Sequence, residues 1–508
     1  MSFKCVVVVD FGAGSGKVFS ATLSRDGIDV RERHRFPNHP LVMGGHLYNN
    51  IGYLYDEAKT GIIRAAVECG QTIASIGLDS WGNDYGLLDR RGELIGFPYN
   101  YRDRRTFGFD RFLDRSVFPT PRSLYDTTGI PFIRTTTYSQ LLTYAASIDP
   151  READRVETFL MTPDLMSFFL TGEKSCEYCE TSTSGLIDAH TRNWAETVLA
   201  TLPFDRAVFP RIVGPGFDAG PLRDPDLDLS TLSKTRLCKP VMHDTGSAVV
   251  SIPCPEGEFI YISCGSWSLM GIESAVPAIN DLTFGWEYHH QGITEGKIRI
   301  QKSIPGLWIL QQCLQEWRLT NPSLSFAEIE AMAARSRPFA SYINIYEPQF
   351  TLPGGMPDKI REFCRRTVQA VPEDIGTMTR CIYESIVLKY MITVQELDRI
   401  GGRRYEQIFL LGGGSKDRLL ASMLADATHR SVVTGAHEAS ALGNALMQFI
   451  AMGELANVGE ARAVARRSVA SSRFEPAKSD QWEEFLARSR ELDQISTAVS
   501  KMKEEKTT

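Results

Sequence analysis

The chain has 508 residues, of which 43% are hydrophobic and 23% charged, and its formal net charge is −7. This composition is that of an ordinary globular protein and excludes a disordered or collagen-like chain. No apolar run reaches the roughly 18 residues of a membrane span, and the first residues lack the apolar core of a signal peptide. The mildly acidic charge, without a long basic block, does not favour nucleic-acid binding. We expect a cytoplasmic enzyme of roughly two to four domains.

The ten cysteines are too sparse for a disulfide-rich scaffold. Cys176 and Cys179 form a Cys-x-x-Cys pair that lacks both a second such pair and a nearby histidine, so a zinc site is not expected. Buried thiols are the favoured interpretation. Whether Cys364 and Cys381 meet on adjacent helices stays open.

The first predicted element is a strand formed by the β-branched run from Cys5 to Val9, which is typical of a strand buried on both faces. Asp10 ends this run, and residues 12–17 read Gly-Ala-Gly-Ser-Gly-Lys. Alternation of apolar and polar residues then resumes over residues 18–23. The pattern predicts a β-hairpin with an acidic residue at the end of its first strand.

A related pattern recurs more than 200 residues later. A strand predicted over residues 239–243 leads into a glycine turn that starts at Asp244 (Asp-Thr-Gly-Ser), and a strand over 259–263 leads into Cys264-Gly265-Ser266. The repetition is weak, but it indicates two related halves that divide near residues 240–250.

Two further elements are predicted in the second half of the chain. A third glycine turn, residues 412–415, follows a predicted strand over 408–411 and precedes a predicted helix over 417–427. The charged tail, residues 480–506, carries apolar residues near helical spacing and predicts a surface helix with a frayed end.

The first glycine turn fits neither of the two familiar nucleotide motifs. Phe11 stands where a P-loop requires glycine, and Val18 stands where it requires serine or threonine. A dinucleotide fingerprint requires glycine at the position of Lys17 and a helix afterwards. Backbone N–H groups of such a turn still bind phosphate, with Lys17 adding charge and Asp10 placed to hold Mg²⁺ directly or through water. The alternative is an ordinary turn with a solvated lysine.

These segments, in this order, resemble the FGGY carbohydrate kinases and, within that family, the rhamnulokinases. The matching segments are residues 10–17, 78–84, 101–106, 161–164, 170–172, 243–249, 266–271, 306–311, 412–414 and 438–444. The resemblance implies an α/β fold of two actin/hexokinase/Hsp70-like (ribonuclease H-like) lobes with an active-site cleft between them. It implies an N-terminal domain over 1–243, a C-terminal domain over 244–475 that binds adenosine, and a terminal surface helix and tail over 476–508.

The resemblance also implies roles for individual residues in transfer of a phosphoryl group from ATP to a ketose. Asp244 corresponds to the catalytic base, and Asp10 to the residue that holds Mg²⁺ through water. The ATP-binding positions correspond to Ala13, Gly14, Ser15, Gly16, Lys17, Ser266, Gln311 and Gly413. The substrate-binding positions correspond to Trp81, Gly82, His243, Asp244, Thr245 and Ser303.

Three positions depart from the family pattern. Lys17 replaces an arginine and keeps its charge without the bidentate fork. Ser266 replaces a threonine and keeps the hydroxyl, whereas Ser303 replaces an asparagine that contacts the sugar. The exchange at Ser303 leaves the exact ketose open.

For several of these residues the sequence fits a structural role as well as a functional one. Asp244 fits side-chain capping of a turn as well as catalysis, and a lone histidine such as His243 is more often structural. Trp81 fits a core position as well as a sugar contact. Arg102 and Asp103 fit an internal salt bridge as well as a ligand site.

The favoured function is phosphorylation of L-rhamnulose at its 1-hydroxyl, with L-fuculose, xylulose or ribulose as alternative substrates. A nucleotide-dependent sensor or ATPase of the same fold is an alternative of another class, and a dehydrogenase is disfavoured by the failed fingerprint. The expected partners are a small ketose and ATP, with neither nucleic acid nor membrane. The chain is expected to be a monomer or a homodimer.

Overall fold

The computed structural model describes residues 4–254, 258–477 and 480–505, with side chains described as far as residue 497. The strands are β1 (Cys5–Phe11), β2 (Ser15–Leu23), β3 (Ile28–Pro37), β4 (Leu41–Met43), β5 (His46–Tyr48), β6 (Ile73–Ser80), β7 (Tyr85–Leu88), β8 (Thr158–Met161), β9 (Cys176–Glu177), β10 (Ile212–Val213), β11 (Phe217–Pro221), β12 (Arg236–Lys239), β13 (Ile260–Cys264), β14 (Trp267–Ser274), β15 (His289–Gly292), β16 (Ile298–Pro305), β17 (Gln407–Leu411), β18 (Ser431–Thr434) and β19 (Arg473–Phe474).

The helices are α1 (Ile51–Cys69), α2 (Pro121–Thr128), α3 (Thr137–Ala145), α4 (Pro150–Ala153), α5 (Thr162–Thr171), α6 (Tyr178–Thr181), α7 (Glu196–Leu199), α8 (Asp244–Val250), α9 (Asp281–Gly285), α10 (Trp308–Trp317), α11 (Phe326–Arg335), α12 (Pro348–Thr351), α13 (Met356–Arg366), α14 (Ile375–Gly401), α15 (Arg418–Thr428), α16 (Ala439–Ala451), α17 (Val458–Ser468) and α18 (Gln481–Glu505). Short 3₁₀ segments occupy Arg104–Thr106, Phe109–Phe112, Arg206–Val208, Pro225–Leu227 and Gly413–Lys416. Within the described ranges no helix is both long and apolar enough to cross a bilayer.

The chain forms two compact units, each discontinuous in sequence. The first unit comprises Met1–Gly257, Glu273–Lys302 and Glu438–Val469, and the second comprises Glu258–Ile272, Ser303–His437 and Ala470–Thr508. The domains expected from the sequence (1–243, 244–475 and 476–508) are contiguous, so the units differ from them. Residues 438–469 join the first unit because α16 lies against its sheet, with Gln448 Nε2 donating to the carbonyl of Val7 at 3.0 Å.

The expected terminal helix corresponds to α18 in the second unit. Its apolar residues Trp482, Phe485, Leu486 and Leu492 are all buried. Phe339 packs against the ring of Trp482 with ring centroids 4.9 Å apart. Residues 478, 479 and 506–508 of the predicted tail, which include its predicted frayed end, lie outside the described residues.

The first unit contains a six-stranded sheet in the order β11-β12-β6-β1-β2-β3. The strand β1 runs antiparallel to β2 and parallel to β6, and β12 runs parallel to β6. Every residue of β1 is buried, which confirms the predicted two-sided burial of the valine run. The predicted hairpin with Asp10 near the end of its first strand is also confirmed.

The second unit contains strands in the order β14-β13-β17-β18-β19. Here β13 runs antiparallel to β14 and parallel to β17, and β17 runs parallel to β18. Gly412 follows β17 with a φ of 75°, a conformation that favours glycine. Asp417 then caps α15 by accepting from the Leu420 N–H at 2.9 Å. The predicted strand, glycine turn and helix over residues 408–427 are therefore confirmed.

The internal repetition exists, and the predicted strand over 259–263 with its turn at Cys264-Gly265-Ser266 belongs to the second copy. The other predicted part, residues 239–247, was placed in it wrongly. Each unit has an antiparallel hairpin whose first strand pairs in parallel on its other side, and the second copy is β13–β14. The segment 244–247, predicted as a glycine turn at a strand end, instead begins the helix α8. The preceding strand β12 already ends at Lys239, and His243 caps the helix by accepting from the Gly246 N–H.

Candidate active site

Two carboxylates lie side by side at one edge of the first unit's sheet. Since β1 and β6 are parallel, their carboxyl ends share that edge, and Asp10 lies directly opposite Asp79. Both side chains are buried. Burial raises the pKa of Asp10, although the Lys17 charge opposes this shift. Burial and the adjacent Asp10 carboxylate raise the pKa of Asp79 well above its usual range.

Asp79 was not among the predicted site residues, although it lies in a segment that carries the family resemblance. Its Oδ2 accepts a hydrogen bond from Asn444 Nδ2 at 2.6 Å. Asn444 is itself held by Gln448 Nε2, which donates to Asn444 Oδ1 at 2.8 Å. A Cβ at Gly77 would lie 2.4 Å from Asn444 Oδ1, so glycine permits this approach of α16 to β6. These contacts join residues far apart in sequence, which local patterns do not reveal.

Lys17 faces Asp10 across the hairpin, as the antiparallel register requires. Its Nζ lies 4.0 Å from Asp10 Oδ2 and 2.5 Å from Glu438 Oε2. Glu438 also accepts from Arg35 Nη2 at 3.2 Å. The lysine is therefore an ion-paired residue, so the alternative of a freely solvated turn lysine does not describe it. Its partner Glu438 lies 421 positions away, so no local pattern predicts this ion pair.

The turn before β2 leaves Ala13 and Gly14 exposed. Asn38 holds the turn from one side, because its Nδ2 donates to the carbonyl of Gly12 at 2.9 Å and its N–H to that of Gly14 at 3.2 Å. Ser15 and Gly16 already belong to β2. At Gly16 the absence of a side chain serves packing, since a Cβ would lie 2.1 Å from the Phe36 ring.

Asp244 is the first residue of α8, and its side chain is 27% exposed. Its Oδ1 accepts from the Thr245 N–H at 2.5 Å and from Thr245 Oγ1 at 3.2 Å. Burial raises the pKa of Asp244 to about 7, and the Asp10 carboxylate adds to this effect. A carboxylate of this kind suits proton transfer near neutral pH.

The segment after β6 brings Gly82 beside His243. The Ser80 N–H donates to the carbonyl of Met242 at 2.9 Å, which ties the two segments together. A Cβ at Gly82 would lie 3.1 Å from His243 Nε2. Trp81 is buried, and its Nε1 donates to Asp84 Oδ2 at 2.9 Å. The Trp81 indole therefore occupies a core position, which was the alternative to a sugar contact for this residue.

The segment 101–106 serves local structure. Asp103 accepts from the N–H groups of Leu47 at 2.7 Å and Arg105 at 2.9 Å, and lies 3.2 Å from His46 Nδ1. Arg102 instead stacks on the Tyr101 ring, 5.0 Å from its centroid. The contacts of Asp103 are thus with residues other than Arg102, contrary to the internal salt bridge considered for that pair.

Arg299, on β16, lies at the site although it was not among the predicted site residues. Its side chain is fully buried. The guanidinium Nη1 lies 3.4 Å from His243 Nδ1, and Nη2 donates to Gln291 Oε1 at 3.2 Å. An arginine within a strand carries no local signal for such a role. Its contacts arise because β15 and β16 form a hairpin that places Gln291 opposite Arg299.

In the second unit, two of the predicted ATP-binding residues contact each other. Ser266 lies in the β13–β14 turn and donates to Gln311 Oε1, on α10, at 2.6 Å. The carbonyl of Ser266 also accepts from the Gly306 N–H at 3.0 Å. A Cβ at Gly306 would lie 2.6 Å from the Gly265 carbonyl oxygen, so the close approach needs glycine. A Cβ at Gly413 would meet no atom within 4 Å, so this turn position is open.

Ser303 is half-buried in β16, within the segment assigned to the second unit. Because side chains alternate along a strand, it projects on the same face of β16 as Gln301. It thus belongs to a regular strand.

The described residues contain no group of three or more histidine, cysteine or acidic side chains arranged to hold a metal. None of the ten cysteines, all of which lie in the described ranges, forms a disulfide. Asp10 and Asp79 remain as a pair of adjacent carboxylates at the sheet edge.

Comparison with known proteins identifies the family. The profile of the FGGY carbohydrate kinase N-terminal domain matches residues 51–249, and that of the C-terminal domain matches residues 260–452. The chain belongs to the FGGY family of carbohydrate kinases. This carbohydrate kinase is 36% identical over 478 residues to a rhamnulokinase of Bacteroides thetaiotaomicron, covering 94% of this chain and 96% of the relative. A rhamnulokinase of an Enterobacter species is 35% identical, covering 94% of this chain and 95% of the relative.

The fold of this FGGY kinase is also that of solved kinases. The ligand-bound xylulose kinase of Lactobacillus acidophilus matches it with a TM-score of 0.78 at 13% identity, over 98% of each chain. The predictions of an FGGY carbohydrate kinase and of two α/β lobes, each with a mixed sheet, are confirmed. The roles of individual site residues stay predictions.

Proposed function

We propose that this kinase transfers the γ-phosphoryl group of ATP to the 1-hydroxyl of L-rhamnulose, forming L-rhamnulose 1-phosphate and ADP. The observation that carries the proposal is Asp244, a partly exposed carboxylate beside His243 whose pKa is raised to about 7. The ring of His243 in turn lies against Gly82. The choice of L-rhamnulose is supported by the relatives named rhamnulokinase at 35% and 36% identity.

The proposed chemistry begins with Asp244. Its carboxylate accepts the proton of the sugar hydroxyl while the hydroxyl oxygen forms a bond to the γ-phosphorus. The bond from that phosphorus to the oxygen bridging to the β-phosphate breaks, and ADP leaves. Because phosphoryl transfer passes through a loose transition state, the base chiefly orients the hydroxyl and takes its proton late. The Thr245 contacts at 2.5 Å and 3.2 Å hold the accepting carboxylate in place.

Phosphate recognition is proposed for the turn at residues 13–16 and for Lys17. The exposed backbone of Ala13 and Gly14 supplies N–H groups, and Lys17 supplies positive charge. Lys17 already pairs with Glu438 and lies near Asp10, so these carboxylates fix its ammonium group. In the second unit, Ser266, Gln311 and Gly413 are proposed to contact the nucleotide. The Ser266–Gln311 hydrogen bond orders two of them in advance.

Magnesium fits the acidic edge of the first unit. Mg²⁺ prefers oxygen ligands, keeps several waters and is bound by one or two carboxylates together with substrate phosphates. Asp10 would hold it, directly or through water, with the Asp79 carboxyl adjacent. When bound, the ion neutralises charge on the nucleotide phosphates.

A sugar panel tests the proposal against its nearest alternatives. Purified enzyme with Mg²⁺ and ATP would be assayed by coupled ADP detection with L-rhamnulose, L-fuculose, D-xylulose and ribulose. We expect L-rhamnulose to give the highest kcat/KM. A higher value for another ketose would move the substrate assignment to that sugar. ATP turnover that is equal with and without every sugar would favour the ATPase alternative.

Two smaller expectations are tested separately. A cytoplasmic location stays a prediction and is checked by cell fractionation. The choice between monomer and homodimer also stays a prediction and is checked by light scattering of the purified chain.

A further inference from the structure

The fully buried guanidinium of Arg299 has a set of uncharged neighbours on β15 and β16. It donates to Gln291 Oε1 at 3.2 Å, to Gln301 Oε1 at 3.4 Å and to the carbonyl of Gly292 at 3.4 Å. Gln301 Nε2 in turn donates to Gln291 Oε1 at 2.7 Å, which fixes both amides. These hydrogen bonds fix the orientation of the guanidinium.

That orientation directs Nη1 at His243 Nδ1, 3.4 Å away. The Gly246 N–H points at the same nitrogen, also at 3.4 Å. A guanidinium and a backbone amide have only donors to offer, so Nδ1 must be the acceptor of both. The Asp244 Oδ1 lies 3.6 Å from Nδ1, outside hydrogen-bond distance, and already accepts from Thr245. The proton of a neutral His243 is thus left on Nε2.

The Nε2 edge of the ring lies over Gly82. A Cβ built at Gly82 would lie 3.1 Å from both Nε2 and Cδ2. A side chain at position 82 would crowd this edge of the ring, and glycine avoids that contact. Gly82 and His243 are both positions that the family resemblance implies for substrate binding.

Several charged or titratable groups lie near this imidazole or interact with Arg299. They are Arg299 on β16, His289 on β15, Asp244 on α8, and Cys179 and Glu180 on α6. Burial, Arg299 and His289 all lower the pKa of His243, well below its ordinary range. Burial raises the pKa of Glu180 well above its usual range, although the Arg299 charge opposes this shift. The surroundings therefore favour a neutral imidazole.

We propose that Arg299 is a positioning residue. Together with the Gly246 N–H, it holds His243 in the tautomer protonated on Nε2. The imidazole can then donate a hydrogen bond from Nε2 to a ketose hydroxyl above Gly82. The identity of the acceptor rests on the proposed function. The tautomer itself does not.

Nitrogen-15 NMR of histidine-labelled protein tests the tautomer without any substrate. The chain has nine histidines, and comparison with His243→Gln identifies the signal of interest. We expect a neutral ring with unprotonated Nδ1 between pH 6 and 8, and a mixture of tautomers in Arg299→Met. A proton on Nδ1 in the wild type, or an unchanged tautomer in Arg299→Met, would overturn the proposal.

Kinetics test the consequence for the sugar. Loss of one well-placed hydrogen bond predicts a fall in kcat/KM for the ketose of roughly threefold to tenfold in Arg299→Met, with KM for ATP unchanged. The acid limb of the pH profile should move upward, because Arg299 lowers the pKa of Asp244. Arg299→Lys should restore most of the kcat/KM for the ketose and bring the acid limb back towards its wild-type position. Equal loss in the lysine and methionine variants would contradict a positioning role.

Arg462 provides a matched control for removal of a buried arginine. It is almost fully buried in the same unit and donates to Glu273 Oε1 at 2.6 Å. Arg462→Met should lower stability without changing the His243 tautomer or the pH profile, and a change in either would overturn the assignment to Arg299. If Arg299→Met fails to fold, the tautomer of the wild type and the kinetics of Arg299→Lys still test the proposal. Absence of ketose turnover in the wild type would count against the proposed function and leave the tautomer result intact.

Discussion

The hairpins β1–β2 and β13–β14 have the same topology and different chemistry. In both, the first strand pairs antiparallel with its hairpin partner and parallel with a third strand. The first hairpin carries Asp10 opposite Lys17. The second carries Cys264 opposite Ser268, with Ser266 in its turn hydrogen-bonded to Gln311.

This difference shows that strand pairing positions a turn, whereas a few side chains decide what the turn can bind. A turn beside paired charges suits the phosphoryl groups of a nucleotide. A turn lined by a hydroxyl and an amide suits uncharged donors and acceptors. We therefore expect charge-removing substitutions near the first hairpin to affect turnover strongly, and substitutions near the second to affect nucleotide affinity more mildly.

The largest effect is expected for Asp244→Asn, at the first residue of α8 in the first unit. Without a carboxylate to take the hydroxyl proton, kcat should fall roughly 10²- to 10⁴-fold while ATP binding is retained. Ser266→Ala, in the second hairpin, is the matched comparison and should leave kcat nearly unchanged. Steady-state kinetics and ATP titration calorimetry measure both. Near-normal turnover in a folded Asp244→Asn variant would exclude Asp244 as the base.

Lys17→Ala should have the next largest effect, and on ATP more than on sugar. A charge-assisted contact contributes about 1.5–3 kcal/mol, so KM for ATP should rise roughly ten- to over a hundredfold. Glu438→Gln is the control, because it removes the partner 2.5 Å from Lys17 while keeping the lysine. If both variants weaken ATP equally, the ion pair matters as a unit. Unchanged ATP dependence in Lys17→Ala would show that the lysine only stabilises the hairpin.

The elements around these residues differ in how readily the sequence predicts them. The hairpin at Asp10 and the turn at Gly412 are local, since an apolar run followed by glycine specifies both within a few residues. Asp244-Thr-Gly-Ser was interpreted wrongly as a turn because its helix has only seven residues and is capped by a histidine side chain. Capping is usually supplied by serine, threonine, aspartate or asparagine.

Contacts between residues far apart in the sequence were the part of the site that the sequence did not predict. Asp79 and Asn444 are 365 positions apart, and Lys17 and Glu438 are 421 apart. Arg299 reaches His243 only because β16 lies next to β15 and α8 lies nearby. Single-sequence patterns describe neighbours along an element, so contacts of this range need the fold itself.

A smaller, graded effect is expected from pH. Burial and the Asp10 carboxylate raise the pKa of Asp244 to about 7. Below that pH the carboxyl is protonated and accepts no proton, so kcat/KM for the ketose should fall about tenfold per pH unit. Above it, the rate should level off. The pH profile of Asp10→Asn sharpens this test. Loss of the neighbouring charge should lower the pKa of Asp244 and so move the acid limb of the kcat/KM profile to lower pH. A wild-type profile flat between pH 5.5 and 8 would contradict the assignment.

The smallest predicted effect concerns Ser303, a half-buried residue of β16. The family pattern has asparagine here, whose amide both donates to and accepts from a ketose. Serine is shorter, so a direct contact becomes a water-bridged one or is lost. A bridging water costs at most about 2 kcal/mol. The enzyme should therefore accept ketoses more broadly than a relative with asparagine.

Ser303→Asn should then narrow the preference towards L-rhamnulose. The quantity to compare is the ratio of kcat/KM for L-rhamnulose to that for L-fuculose and D-xylulose, in wild type and variant. Ser303→Ala is the control, because it removes the hydroxyl without adding an amide and should leave the ratio near its wild-type value. Since Ser303 sits in a regular strand, a purely structural serine predicts that all three proteins share one ratio. That result, or a shift away from L-rhamnulose in Ser303→Asn, would remove Ser303 from the residues that select the sugar.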